Sequence, residues 1–148
     1  MKYLIVCIGN RDGGDDAVGP FIADQLKTIK MSDIDVLDVG IAPENFTDVI
    51  KRKKPDVLVL VDAIDMGQKP GEIRQVSKNH LGVMHISTHG IPLSLLMTYF
   101  EQYIDTVLLV GIQPKQMQGS MTKDVETAAH QLVRILSAKD IQSVLKLG

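Results

Sequence analysis

Three short runs of almost uninterrupted apolar residues, 3–8, 57–61 and 106–111, most constrain what this chain can fold into. A strand with one wet face alternates apolar and polar side chains. A strand apolar at nearly every position must be covered on both faces. The stretches between the runs supply the covers. Val18, Phe21, Ile22, Leu26 and Ile29 recur at roughly helical spacing within 17–29. Val125, Ala128, Ala129, Leu132, Val133 and Leu136 do the same within 123–138. Further helices are predicted over 44–53 and 93–102, and further strands over 35–39 and 72–76. Asp15 or Asp16 is placed to cap the first helix and Thr122 the last.

This order predicts an α/β three-layer sandwich: a twisted, mostly parallel sheet of about five strands with helices on both faces. Lys69-Pro70-Gly71-Glu72 reads as a turn into a short strand, so one strand can run antiparallel. The tail 140–148 extends or follows the last helix, and its pattern does not choose between these. At 148 residues, without repeats or a linker, the chain is expected to be one domain over 1–148.

A formal charge of −2 gives no electrostatic case for a nucleic-acid partner. The basic run Lys51-Arg52-Lys53-Lys54 reads as a solvated helix end. A single cysteine, Cys7, excludes a disulfide framework and is expected to fill the core. No signal-peptide pattern occurs, and no apolar run approaches the roughly 20 residues that cross a bilayer. The expectation is a cytoplasmic protein with no membrane partner.

The first strand runs into Gly9-Asn10-Arg11-Asp12-Gly13-Gly14-Asp15-Asp16. Ligands of parallel α/β sheets sit beyond the carboxyl ends of strands, where this turn lies. It is not a phosphate cradle. Gly-x-Gly-x-x-Gly fails at Asn10 and Arg11, no Gly-Lys-Ser/Thr occurs, and paired carboxylates repel phosphate. They suit a hard or borderline metal instead.

Two further residues are expected at the same sheet edge. Asp62 ends the third strand, and His89 precedes the helix 93–102. With Asp16 they make two carboxylates and an imidazole, a partial shell for zinc, nickel, iron or cobalt. Each has a plainer reading. Asp16 alone would serve as a helix cap, and a lone loop histidine is usually structural. An unpaired carboxylate at the end of a buried strand is harder to explain without function. His85 and His89 are four apart, but Ile86 stands where a zincin has its glutamate. His80 and His130 read as surface or helix-face residues. No Gly-x-Ser-x-Gly elbow supports a serine-hydrolase triad.

These residues fall into a larger pattern. Gly9-Asn10-x-x-x-x-Asp15-Asp16-x-x-Gly19, Gly40-x-Ala42-Pro43-Glu44-Asn45, Val61-Asp62-Ala63-x-Asp65-Met66-Gly67, Pro70-Gly71-Glu72, Thr88-His89-x-x-Pro92-Leu93 and Gly111-Ile112-Gln113-Pro114 recur along the chain. Together they resemble the hydrogenase maturation proteases, most closely the branch serving formate-hydrogenlyase-type hydrogenases. The resemblance implies a hydrolase of the aspartyl-type endopeptidase class. Its partner would be a [NiFe]-hydrogenase large-subunit precursor already loaded with nickel. The C-terminal extension would be removed just after the C-terminal cysteine motif. Asp16, Asp62 and His89 match the family's metal-binding and catalytic positions. Nickel would arrive with the substrate, although other divalent metals suit the same ligands. The metal would polarise the scissile carbonyl or lower the pKa of a bound water. No serine or cysteine is placed for covalent chemistry, so water attack is expected. Asp15, and Asp38 before Gly40, are candidates to support the site.

Two positions depart from the family pattern. Asp12 replaces a leucine or methionine, and Ala17 replaces a glycine. Alanine favours a helix start but disfavours positive φ. Two other classes remain in view. A receiver-like phosphoacceptor domain would use Asp15, Asp16, Asp62, Thr88 and Lys115, but leaves His89 without a role and reverses the lysine–proline order at Pro114-Lys115. A non-catalytic scaffold that binds metal or a hydrogenase subunit would share the same residues.

Overall fold

The computed structural model describes residues 1–81 and 92–148. Its sheet has the spatial order β2-β1-β3-β5-β4, built from β1 (Tyr3–Ile8), β2 (Ile34–Gly40), β3 (Val57–Ala63), β4 (Ile73–Gln75) and β5 (Thr106–Ile112). β1 pairs in parallel with β2 and β3, and β3 pairs in parallel with β5. β4 runs antiparallel to β5, as the turn before it suggested. The chain leaves β1 for β2 on one side and reaches β3 on the other. Their carboxyl ends therefore meet at one edge.

Alternation along the strands divides the core. Ile5, Cys7, Val57, Val59, Val61, Val110 and Ile112 face α1 (Val18–Lys27) and α5 (Lys123–Ser137). Leu4, Val6, Ile8, Leu58, Leu60 and Leu109 face the opposite way. They pack with Ile50 of α2 (Thr47–Lys53), Leu81 of α3 (Lys78–Leu81) and Leu93, Leu96, Met97 and Phe100 of α4 (Leu93–Glu101). Every residue of β3 is buried, as two covered faces require. The three-layer expectation holds, and Cys7 is fully buried.

The expected helices shift at their starts. The 17–29 segment opens as a 3₁₀ turn, Gly14–Ala17, before α1, and the 44–53 segment as another, Pro43–Phe46, before α2. Neither Asp15 nor Asp16 caps α1, because both lie inside the turn with their carboxylates turned to other partners. Thr122 holds the N-cap position of α5 but makes no side-chain cap bond. Its hydroxyl points to Asp15 instead. The basic run forms the last turn of α2, where cations favour the helix C-terminus.

The tail does not extend α5. It makes a 3₁₀ turn, Ile141–Ser143, and then lies along β4. Gln75 donates its amide to Leu145 O at 2.8 Å, and Leu147 N donates to Gln75 O at 2.9 Å. The tail thus covers a sheet edge that would otherwise expose unpaired backbone groups. Among the described residues, no helix is long and apolar enough to cross a membrane.

Candidate active site

Two glycines bring the first turn against the sheet. A Cβ on Gly9 would collide with the Asp16 carbonyl oxygen, and one on Gly19 with the carbonyl of Ile8. Their absence lets the turn fold back and α1 pack directly on the end of β1. Asp16 Oδ2 then accepts the Asn10 amide at 3.1 Å, closing the loop on itself. Asn10 Oδ1 accepts the Asp12 N–H at 2.9 Å, while Asp12 itself is exposed. Ala17 has φ −75°, an ordinary right-handed conformation, so alanine here needs no special loop.

The two adjacent aspartates have different work. Asp15 is fully buried and binds the far side of the sheet edge. Its Oδ2 accepts the amides of Lys115 at 2.8 Å and Gln116 at 3.1 Å. Its Oδ1 accepts the Thr122 amide at 2.7 Å and the Thr122 hydroxyl at 2.9 Å. Burial pushes the Asp15 carboxyl up, but the N–H donors of Thr122, Lys115 and Gln116 outweigh it and hold the pKa below the ordinary carboxylate value. This carboxylate staples the loop after β1 to the loop after β5.

Asp62 closes β3, 1 % exposed. Alternation puts it on the face of Leu58 and Leu60, towards the layer of α2 and α4. Its Oδ1 is buried and accepts no hydrogen bond. Burial raises its pKa well above the usual carboxylate range, and the neighbouring Asp16 charge raises it further. The fold therefore places Asp62 where burial and the Asp16 charge both oppose its ionisation, an opposition that a cation would relieve. Among the described residues, no group of three His, Cys, Asp or Glu side chains forms a metal cluster. The third expected ligand, His89, and also His85 and Thr88, lie outside the described residues.

The remaining candidates sit elsewhere. Asp38 Oδ2 pairs with Arg11 at 2.7 Å, and Arg11 also forms a fork onto both oxygens of Asp24 at 2.8 and 3.0 Å. That ties the first turn to α1 and β2 at the surface. Cys7 is inert: burial raises its thiol pKa strongly, and Asp38 adds to this. His130 is exposed and meets Phe21 edge-on at 5.4 Å, while His80 lies 2.9 Å from Ser77 Oγ.

One contributor had no role in the sequence reading. Gln113 is buried just beyond β5. Its Oε1 accepts the amides of Met66 at 2.6 Å and Gln68 at 3.2 Å, and its Nε2 donates to Asp65 Oδ1 at 3.1 Å. It clamps the loop that follows Asp62. The only sequence signal was its place in the Gly111-Ile112-Gln113-Pro114 block.

A mostly parallel α/β sheet with two buried carboxylates, Asp16 and Asp62, at its carboxyl edge defines a class: an α/β protein whose candidate site lies at the strand ends between fixed loops. The comparisons narrow the class. Residues 21–139 match the family model HycI, hydrogenase maturation protease. The chain is 37% identical over 115 residues to the hydrogenase 3 maturation protease of Escherichia coli K12, covering 77% of this chain and 74% of that one. Its structure resembles the solution structure of the endopeptidase HycI from Escherichia coli, with a TM-score of 0.91 and 32% identity over 100% of this chain and 97% of that one. It also resembles the crystal structure of a [NiFe] hydrogenase maturation protease from Thermococcus kodakarensis, with a TM-score of 0.84 and 30% identity over 95% and 92% of the two chains. The chain belongs to the hydrogenase maturation protease family.

Proposed function

We propose that this endopeptidase removes the C-terminal extension of a nickel-loaded [NiFe]-hydrogenase large-subunit precursor, and that it recognises the nickel carried by that substrate through Asp16, Asp62 and His89. The observation that carries the reading is Asp62. A buried carboxylate oxygen without a hydrogen-bond partner, within the electrostatic reach of the Asp16 charge, is incomplete until a cation reaches it. A substrate that brings its own metal supplies that cation, whereas a nickel-free precursor does not. Recognition then doubles as a test of loading. In this reading Asp16 and Asp62 hold the loaded C-terminal region at the sheet edge, and a water molecule attacks the scissile bond. Asp15 and Gln113 keep the flanking loops fixed, so that orientation is set before the substrate arrives. The site is expected to act in the cytoplasm.

The test is processing of a precursor large subunit with and without loaded nickel, read by the mass of the released C-terminal fragment. Cleavage of the loaded form alone supports the reading. Equal cleavage of both forms refutes metal gating, and binding without cleavage moves the assignment to a maturation scaffold.

A further inference from the structure

We propose that Met66 is a positioning residue of the protease site: seated by Gln113, it fills the space on the β5 side of Asp62 and keeps that carboxylate from turning across β5, away from the turn that carries Asp16. Its part in metal recognition rests on the protease reading above. Asp62 and Gly111 are register partners on β3 and β5. Their side-chain positions are therefore neighbours on one face of the sheet, about 4.8 Å apart. Gly111 has no side chain to fill its place, and the loop after β3 folds back to do so. Met66 Sδ comes to 3.0 Å, and Ile64 Cδ1 to 3.1 Å, from where a Cβ of Gly111 would stand. Both residues are buried in the same core layer as Leu58, Leu60 and Leu109.

Asp62 needs such a stop. β1 flanks β3 on the other side, and the Gly14–Ala17 turn that follows it packs against β3. The Asp16 charge opposes the ionised form of Asp62, and like charges draw apart unless they are held. The Ala63 amide reaches the Asp62 carboxylate, but Oδ1 has no hydrogen-bond partner. Packing therefore decides which way the side chain leans. An open space over Gly111 would let it swing away from the Asp16 turn. A thioether and an isoleucine methyl close that route. Gln113 holds the stop in place. Ile64 N still bonds Ile112 O at 3.0 Å, but beyond it the loop leaves β5. There Gln113 Oε1 accepts the Met66 amide at 2.6 Å, while its own backbone is tied to Gly71 and Glu72 at 2.9 Å each.

The experiment reads the Asp62 side chain directly, from the three-bond couplings about its χ1 bond in the metal-free full chain. The wild type should show one staggered rotamer. Met66→Ala should show averaging between rotamers, and Gln113→Leu should resemble it. Met66→Leu keeps the bulk and should retain the single rotamer. Calorimetry with nickel chloride should follow the same order. Met66→Ala and Gln113→Leu should each lose about tenfold in affinity, the scale of a lost supporting contact at a metal site. Adding Gln113→Leu to Met66→Ala should cost nothing more, because the glutamine acts through the methionine. Met66→Val, a milder truncation, carries the test if the alanine variant fails to fold, with averaging in the same sense. An unchanged rotamer in the truncated variants, averaging in Met66→Leu, or additive losses in the double variant would overturn the proposal. The couplings need neither metal nor cleavage. Averaging in Met66→Ala with no nickel uptake by the wild type would uphold the stop and refute the metal reading, and nickel uptake with a fixed Asp62 rotamer in Met66→Ala would do the reverse.

Discussion

Asp15 and Thr122 lie 107 residues apart in sequence, yet the Asp15 carboxylate accepts the Thr122 amide at 2.7 Å and stands 2.9 Å from its hydroxyl. This joins the turn that carries Asp16 to the start of α5. The carboxylate resembles a bolt through the sheet edge rather than a ligand. Its neighbour Asp16 accepts the Asn10 amide and acts on Asp62 through its charge.

Replacing Asp15 should therefore loosen the whole edge. Asp15→Asn puts an amide NH₂ among groups that all donate, and should lower stability by about 2–4 kcal/mol. Urea denaturation measures this directly. The Asp15 pKa is depressed in the folded chain, so its contribution is present above the unfolded carboxylate value and is lost as pH falls through the native one. The wild type should lose this stabilisation in acid, and Asp15→Asn should show a flatter acid limb. An unchanged midpoint in urea would refute the staple.

Asp62 predicts the opposite sign. The folded chain holds the Asp62 proton more tightly than the unfolded chain does, so stability declines as pH rises from the ordinary carboxylate range through the raised native pKa. Asp62→Asn removes that decline. In chelator-treated protein its Tm should exceed the wild-type value most at alkaline pH, by about 2–4 °C for each kcal/mol relieved. The same variant should bind nickel more weakly by calorimetry and fail to process precursor. A lower Tm at every pH would mean that the Asp62 carboxylate stabilises the fold.

Gly19 tests the close approach of α1 to β1. An added methyl would meet the Ile8 carbonyl, which is backbone and has little room to move. Gly19→Ala should destabilise the protein by about 1–3 kcal/mol despite alanine's better helix propensity. Thermal unfolding decides it, since a stabilised variant would show that the helix can shift away freely.

Cys7 should stay silent towards thiol reagents in the native protein. Its side chain is fully buried and its thiol is held protonated by burial. Mass spectrometry after treatment with an aromatic disulfide should find no adduct without denaturant and complete labelling in urea. Cys7→Ala should keep processing activity with a small loss of stability, and labelling of folded protein would contradict the core assignment.

His89→Ala should abolish processing while leaving the circular dichroism spectrum and urea midpoint unchanged. Normal trimming by this variant would remove His89 from the recognition set.

The sequence by itself determined the layers. Continuous apolar runs such as 57–61 can be strands only if both faces are covered, and the helical stripes of 123–138 provide a cover; these are local patterns whose periods show directly in the residues. The Asp15-Asp16 pair and Asp62 were legible as strand-end carboxylates for the same reason. What each carboxylate does was not legible. Capping is a local rule: it placed Thr122 at the start of α5, where it stands, but it also gave Asp15, Asp16 and Thr122 capping bonds that none of them makes. Tertiary structure overrode those bonds, because the donors that reach Asp15 come from Lys115, Gln116 and Thr122, brought close only when β5 pairs beside β3. The unpartnered oxygens of Asp62 and Glu44, and the clamp made by Gln113, arise in the same way. Burial and partnership are properties of what surrounds a residue in space, and only the packed sheet edge decides them.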